Sequence, residues 1–164
     1  MVAARWWRQA TPHGEILVEC VDGAVVHVAL PGATVVGPDG PPRRDAALAR
    51  RLDAYFAGGA DLVDVPVDLD GAGLSELQRH VLLTVRAEIP YGETATYGEV
   101  AELAGRPGAA RAVGTAMARC PVPLFVPCHR VVAANGIGGY GGGADGVALK
   151  RALLARERRG RPNA

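Results

Sequence analysis

The chain has 164 residues, 49% of them hydrophobic, and 18 Lys/Arg against 17 Asp/Glu give a net charge of +1. That length fits one domain, or one domain with a small N-terminal annex, and is enough to bury a real core. No apolar run is long enough to span a bilayer, the N-terminus carries no secretory apolar region, and three irregularly spaced cysteines argue for a reducing cytoplasm rather than a disulfide scaffold. The balanced total hides an asymmetry. Residues 1–74 carry six basic and ten acidic side chains, and residues 75–164 carry twelve and seven, so the halves stand at −4 and +5. A basic C-terminal half suits a polyanionic partner. Alternatively, five of its arginines (Arg151, Arg156, Arg158, Arg159, Arg161) merely solvate the final helix and tail.

In chain order, residues 15–20 and 24–31 are two β-rich runs joined through Asp22-Gly23, a strong hairpin signal. Cys20 and His27 fall on this hairpin. A zinc site there needs two further ligands, and only His13 and His80 are on offer. Residues 32–44 are Gly/Pro-rich and read as loop. Asp45 caps a predicted helix over 46–57, with Leu48, Leu52, Tyr55 and Phe56 on one face and Gly58-Gly59 at its end. Residues 61–70 interleave Leu62, Val63, Val65, Val67 and Leu69 with aspartates, which predicts a strand leading out of the first module. Residues 70–73 are the predicted linker.

Ser75 opens a second helix with Gln78 at the capping-box position, and Leu77, Val81, Leu82 and Val85 form its apolar face. Thr96 and Glu99 form another capping box, opening a short helix through Leu103. A turn at 106–108 leads to a helix over 109–117 made almost wholly of small residues, with Arg111 its only long side chain before Met117. Two short helices joined by a Gly-containing turn describe a helix-turn-helix, with Arg111 suited to a DNA groove, or else two packed helices and a solvated arginine. Cys120-Pro121 breaks that helix. The apolar run 122–126 then reads as a buried strand.

That run ends in Pro127-Cys128-His129-Arg130. The thiolate is the reactive form of cysteine, and an adjacent imidazole or positive charge favours it, so Cys128 is a candidate nucleophile; the alternative is a buried core cysteine. The following glycine-rich stretch, 135–143, holds Tyr140 alone among small residues. It is either a mobile loop or a place where a flat ligand meets the backbone and stacks on the ring. The last helix, 147–158, puts Leu149, Ala152 and Leu153 on its core face. Glu157 near its end is either a surface carboxylate or the group that orients His129.

Ile89-Pro-Tyr-Gly-Glu93, Thr96-Tyr-Gly-Glu99, Gly108-Ala-Ala-Arg-Ala-Val-Gly114, Pro127-Cys-His-Arg-Val131, Gly139-Tyr-Gly-Gly142, Lys150 and Leu153-Leu-Ala-Arg-Glu157 occur in this order. Together they resemble the O6-alkylguanine-DNA alkyltransferases, also called methylated-DNA–protein-cysteine methyltransferases. The resemblance covers about half of the chain; the N-terminal half matches only in its strand–hairpin–helix pattern. It implies an α/β (α+β) fold, with a small β-rich, ribonuclease-H-like module over 1–72 and a mainly helical reactive domain with a helix-turn-helix over 73–164.

By the same resemblance, a single-turnover enzyme transfers an alkyl group irreversibly from O6-alkylguanine, and from O4-alkylthymine, in duplex DNA after flipping the base. The implied roles are Cys128 as acceptor, His129 helping to deprotonate it through water, and Glu157 orienting His129. Tyr97 crowds the 3′ phosphate and protonates guanine N3. Arg111 fills the gap left by the base, with Ala110 and Gly114 also on the DNA. Val131, Tyr140, Gly141 and Pro123 line the guanine pocket. No cofactor or metal is required, and the protein is expected to be a cytoplasmic monomer. Where the family usually has Asn before the proline, this chain has Cys120, which cannot make two-sided amide hydrogen bonds. Two other readings stay open: an alkyltransferase-like sensor that binds alkylated bases without reacting, and, motivated by Cys120, a repurposed alkyl or thiol transferase acting on a small molecule.

Overall fold

The computed structural model describes residues 4–141 and 144–160. Residues 1–3, Gly142, Gly143 and the tail with Arg161 lie outside the described residues. The mixed α/β fold begins with a three-stranded antiparallel sheet, β1 (Ala4–Thr11), β2 (Gly14–Val21) and β3 (Ala24–Ala29), in that order. The expected hairpin is β2–β3, turning at Asp22-Gly23 with positive φ at both residues. β1 is an additional strand that the sequence reading left out. Only Trp7 and Gln9 of it are fully buried, so its alternation is short and half polar.

Asp45 caps α1 (Ala46–Phe56) by accepting from the Ala47 and Leu48 amides. The helix lays Leu48, Ala49, Leu52, Tyr55 and Phe56 against the sheet, as a 3.6-residue apolar stripe requires. Gln9 ties the layers together: it accepts from Trp7 Nε1 at 2.9 Å and donates to Ala49 O at 3.1 Å and Asp53 Oδ1 at 2.8 Å.

The predicted strand over 61–70 does not form. Asp61 accepts from its neighbour's amide, Val65 N–H bonds back to Leu62 O, and Pro66 has no amide to donate. Only one bridge remains, Val25 to Val67, with Val25 N–H on Pro66 O and Asp68 N–H on Val25 O. Leu62, Val65 and Leu69 are buried all the same. The segment keeps the burial of a strand without its ladder.

A 3₁₀ turn, Asp70–Ala72, with Gly73 left-handed, leads into α2 (Glu76–Glu88). The Ser75–Gln78 capping box opens α2, and the Thr96–Glu99 box opens α3 (Tyr97–Leu103); both make their two reciprocal hydrogen bonds. α4 (Ala110–Ala118) follows the tight turn at 106–108. α5 (Ala144–Gly160) is the last element among the described residues. One short element aligns the site: β4 (Ala95–Thr96) pairs in parallel with β5 (Val131–Val132). That pairing sets the start of α3 beside the segment carrying Cys128. A single buried cluster runs from Trp7 through Leu52, Val85 and Phe125 to Leu153. No helix among the described residues is long and apolar enough to cross a membrane.

Candidate active site

The apolar run before Cys128 is buried but is not a strand. Leu124 takes a left-handed φ of 77°, Val126 N–H returns to Val122 O at 3.0 Å, and Cys128–Arg130 form a 3₁₀ turn. A non-glycine residue in that region is strained, and full burial of Val122, Phe125 and Val126 holds it there. The two prolines, Pro121 and Pro123, cannot feed a ladder. The result is a compact turn that presents Cys128 rather than an extended segment.

Cys128 lies on the wall of a cavity of about 310 Å³, which Tyr97, Gly114, Pro123, Tyr140 and Gly141 also line. Leu30, Met117 and Cys120 are also part of the wall. Val131 stands outside this lining, with its carbonyl occupied by Lys150 Nζ at 2.6 Å. Ala110 and Arg111 lie on α4, and the Arg111 side chain is exposed. Gly138, with φ 75°, passes so close to Tyr97 that a Cβ there would meet its hydroxyl at 2.9 Å. Only glycine allows the loop to seat the phenol beside the cavity.

Behind Cys128 is a buried ionic cluster. His129 Nε2 meets Glu157 Oε1 at 2.6 Å, both side chains fully buried. Arg130 donates through Nε to Glu157 Oε2 at 2.9 Å and through Nη2 to Glu157 Oε1 at 3.0 Å. It also reaches Asp61 Oδ1 at 2.9 Å and Ile89 O at 3.0 Å, and it stacks 5.6 Å from the Tyr91 ring centroid. Tyr55 from α1 donates to Glu157 Oε1 at 2.8 Å. Burial alone would raise the Glu157 carboxyl, but the His129 and Arg130 hydrogen bonds and charges pull it down to about 2. Glu157 is therefore an anion at neutral pH. It accepts from Nε2–H of His129, which leaves Nδ1 as the basic nitrogen, and Nδ1 has no protein partner.

Burial tunes Cys128 and Tyr97, which line the cavity, and Lys150, which lies outside its lining. It pushes the Cys128 thiol well up, aided by the neighbouring Cys120 thiol, while Lys150 pulls it back. It draws Lys150 down to about 8, and Cys128 works the other way. Lys150 Nζ donates also to Gly139 O at 3.1 Å and sits 5.9 Å over the Tyr97 ring. Tyr97 is raised by burial and lowered by a hydrogen bond with the Gly139 backbone.

The sequence reading left Arg130, Asp61, Tyr55 and Lys150 without a role in the site. One signal for Lys150 was available. Residues 150, 153, 154 and 157 repeat at helical spacing, and all four are buried, so a lysine and a glutamate lie on the helix's apolar stripe. The hairpin residues Cys20 and His27 stand apart. Cys20 is buried, His27 Nδ1 pairs with Glu19 at 2.9 Å, and no three potential metal ligands cluster among the described residues. Tyr55→Phe is expected to destabilise the protein by about 1.5–3 kcal/mol, because a hydrogen bond to a buried carboxylate is lost. A thermal unfolding midpoint equal to the wild type's would show that Glu157 is held without Tyr55.

Residues 76–159 match the family model described as 6-O-methylguanine DNA methyltransferase, DNA binding domain. The methylated-DNA–protein-cysteine methyltransferase of Mycolicibacterium paratuberculosis is 51% identical over 122 residues, covering 74% of this chain and 70% of that one. The crystal structure of Mycobacterium tuberculosis O6-methylguanine methyltransferase aligns with a TM-score of 0.83 and 33% identity, over 99% of this chain and 97% of that one. The M. tuberculosis OGT structure in complex with DNA aligns with a TM-score of 0.84 and 35% identity, over 96% and 95%.

Proposed function

The chain belongs to the methylated-DNA–protein-cysteine methyltransferase family, and from that membership we propose that it repairs DNA by moving an alkyl group directly from O6 of an alkylated guanine in duplex DNA, and from O4-alkylthymine, onto Cys128. The observation that carries the assignment to Cys128 is its place on the cavity wall, with the buried His129–Glu157 pair beginning at the very next residue. Nδ1 of His129 takes the Cys128 proton through a bridging water, and Glu157 fixes the ring and steadies its positive charge. The Sγ thiolate attacks the alkyl carbon, the S–C bond forms as the C–O6 bond breaks, and the electron pair leaves on O6. Tyr97 supplies a proton to guanine N3, and backbone amides of the glycine-rich loop face the developing negative charge. The product thioether is stable, so each molecule acts once.

The Cys128 side chain is buried in the cavity wall, out of reach of a base stacked in a duplex, which supports base flipping as the route of entry. Pro123, Tyr140 and Gly141 would flank the guanine, with the Val131 segment behind it. α3 and α4 would form the helix-turn-helix on the duplex, with Ala110 and Gly114 allowing close approach and Arg111 reaching into the space left by the base. We take residues 1–72 as the N-terminal module and 73–164 as the reactive domain, and the protein as a cytoplasmic monomer. No step above calls for a metal or organic cofactor.

The deciding experiment is peptide mass mapping after incubation with a duplex carrying one O6-methylguanine. One methyl on the Cys128 peptide per protein molecule is the expected result. Selective binding without any methyl would overturn the transfer reading in favour of a lesion sensor. Arg111→Ala is expected to weaken binding to the lesion duplex about tenfold, the effect of losing a contact worth about 1–3 kcal/mol. Its unfolding midpoint should stay near the wild type's, because the side chain is exposed. Fluorescence anisotropy checks the affinity, and an unchanged value would take Arg111 off the DNA.

A further inference from the structure

Cys120 has no part in the alkyl transfer, yet its side chain reaches the same cavity as the acceptor. Its backbone is fixed on both sides. Cys120 N–H donates to Met117 O at 3.2 Å just past α4, and Pro121 O accepts from Val28 N–H at 2.8 Å. Cys128 is anchored eight residues later by its own N–H on Val126 O at 2.8 Å. Between them, the left-handed Leu124 and the Val126–Val122 hydrogen bond fold the chain back on itself. The two thiols end up lining one cavity. Cys120 is half-buried, whereas Cys128 is 3% exposed, so a solute entering the cavity meets Cys120 first. The third thiol, Cys20, is buried in the sheet core away from this cavity.

We propose that Cys120 and Cys128 are an oxidation site, closing to a reversible intramolecular disulfide when a hydroperoxide enters the cavity. The Cys120 thiolate attacks the peroxide O–O bond and becomes a sulfenic acid, and the peroxide leaves as alcohol or water. Cys128 sulfur then attacks the sulfenic sulfur, the S–S bond forms, and the hydroxyl leaves as water with the Cys128 proton. Two thiols are oxidised and one peroxide is reduced. A dithiol reductant returns both thiols and is itself oxidised to a disulfide. The turn is already closed, so few residues must be ordered to make the bond. Its consequence, which rests on the alkyl-transfer reading, is that an acceptor used only once is withdrawn from repair but protected from irreversible sulfinic acid.

The test uses the full chain, treated with a few-fold excess of hydrogen peroxide and then alkylated with iodoacetamide. Reactive thiols in the unfolded protein should fall from three to one, with a linked peptide pair containing Cys120 and Cys128. Methyl uptake from the lesion duplex should vanish in step with the link and return with dithiothreitol. In Cys120→Ser, Cys128 should pass to sulfinic acid with no recovery. Three free thiols after treatment, or Cys128 sulfinic acid in the wild type with no linked pair, would overturn the proposal. Mapping of the wild type decides this even if the variant does not fold. A link that forms in a protein never able to take up methyl leaves the disulfide standing and removes only its stated consequence.

Discussion

Cys128→Ala is expected to accept no methyl group from O6-methylguanine DNA at any incubation time, while still binding the lesion duplex. Alkyl transfer to a side chain needs a nucleophile, and neither other cysteine is placed to take over. Cys20 is buried in the sheet, and Cys120, although it lines the same cavity, is eight residues removed from the Cys128-His129 pair and has no histidine next to it in the chain. The wall loses one sulfur atom from a space of about 310 Å³, so the shape that receives the base is retained. The wild type should also show a pH signature. Burial holds the Cys128 thiol well above its ordinary value, so the thiol form dominates at neutral pH and the thiolate grows as pH rises. Single-turnover transfer should therefore quicken from about pH 6 to about pH 9, up to tenfold per pH unit where deprotonation limits the rate. Rapid-quench measurement of the methylated fraction checks both statements. Methylation of the Cys120 peptide in Cys128→Ala would mean that the acceptor has been misassigned.

What the sequence disclosed was local or belonged to the motif. The Asp45 cap and the Ser75–Gln78 and Thr96–Glu99 boxes are written within four residues, so their helices start where expected. β1 escaped because only Trp7 and Gln9 point fully inward, and one of them is polar. Residues 61–70 misled because apolar–acidic alternation has the period of a strand, while aspartates that accept nearby amides make turns instead. The His129–Glu157 contact was one of two readings of Glu157 from the residues, and the resemblance implied it. Tyr55 and Asp61 could not be read in this way, because they come from the N-terminal half and meet Glu157 and Arg130 across 102 and 69 residues of chain. No periodicity encodes a contact of that range. Only the fold brings the acidic first half, through Asp61, to the basic residue following His129.

That long-range cluster sets the second large effect. Glu157→Gln is expected to cost about 3–5 kcal/mol of stability, the usual consequence of leaving a buried charge without its partner. Gln keeps the shape of Glu157 but removes the charge that compensates Arg130, leaving only Asp61, which is partly exposed. The pH dependence carries the sign. The folded-state carboxyl is held at about 2, below its ordinary 4.5, so its stabilisation is fully present above about pH 4.5 and is lost as pH falls toward 2. The wild type should therefore lose on the order of 3 kcal/mol across that window through this group, and Glu157→Gln should lose correspondingly less. Transfer should fall as well, by about 10²–10⁴-fold, because a neutral amide neither fixes the His129 tautomer nor steadies its positive charge. Arg130→Met separates the two roles. It should cost similar stability but keep the His129–Glu157 contact, and so retain more transfer than Glu157→Gln at a temperature where both are folded. Equal transfer in the two variants would mean that Glu157 acts by holding the fold together rather than by preparing His129.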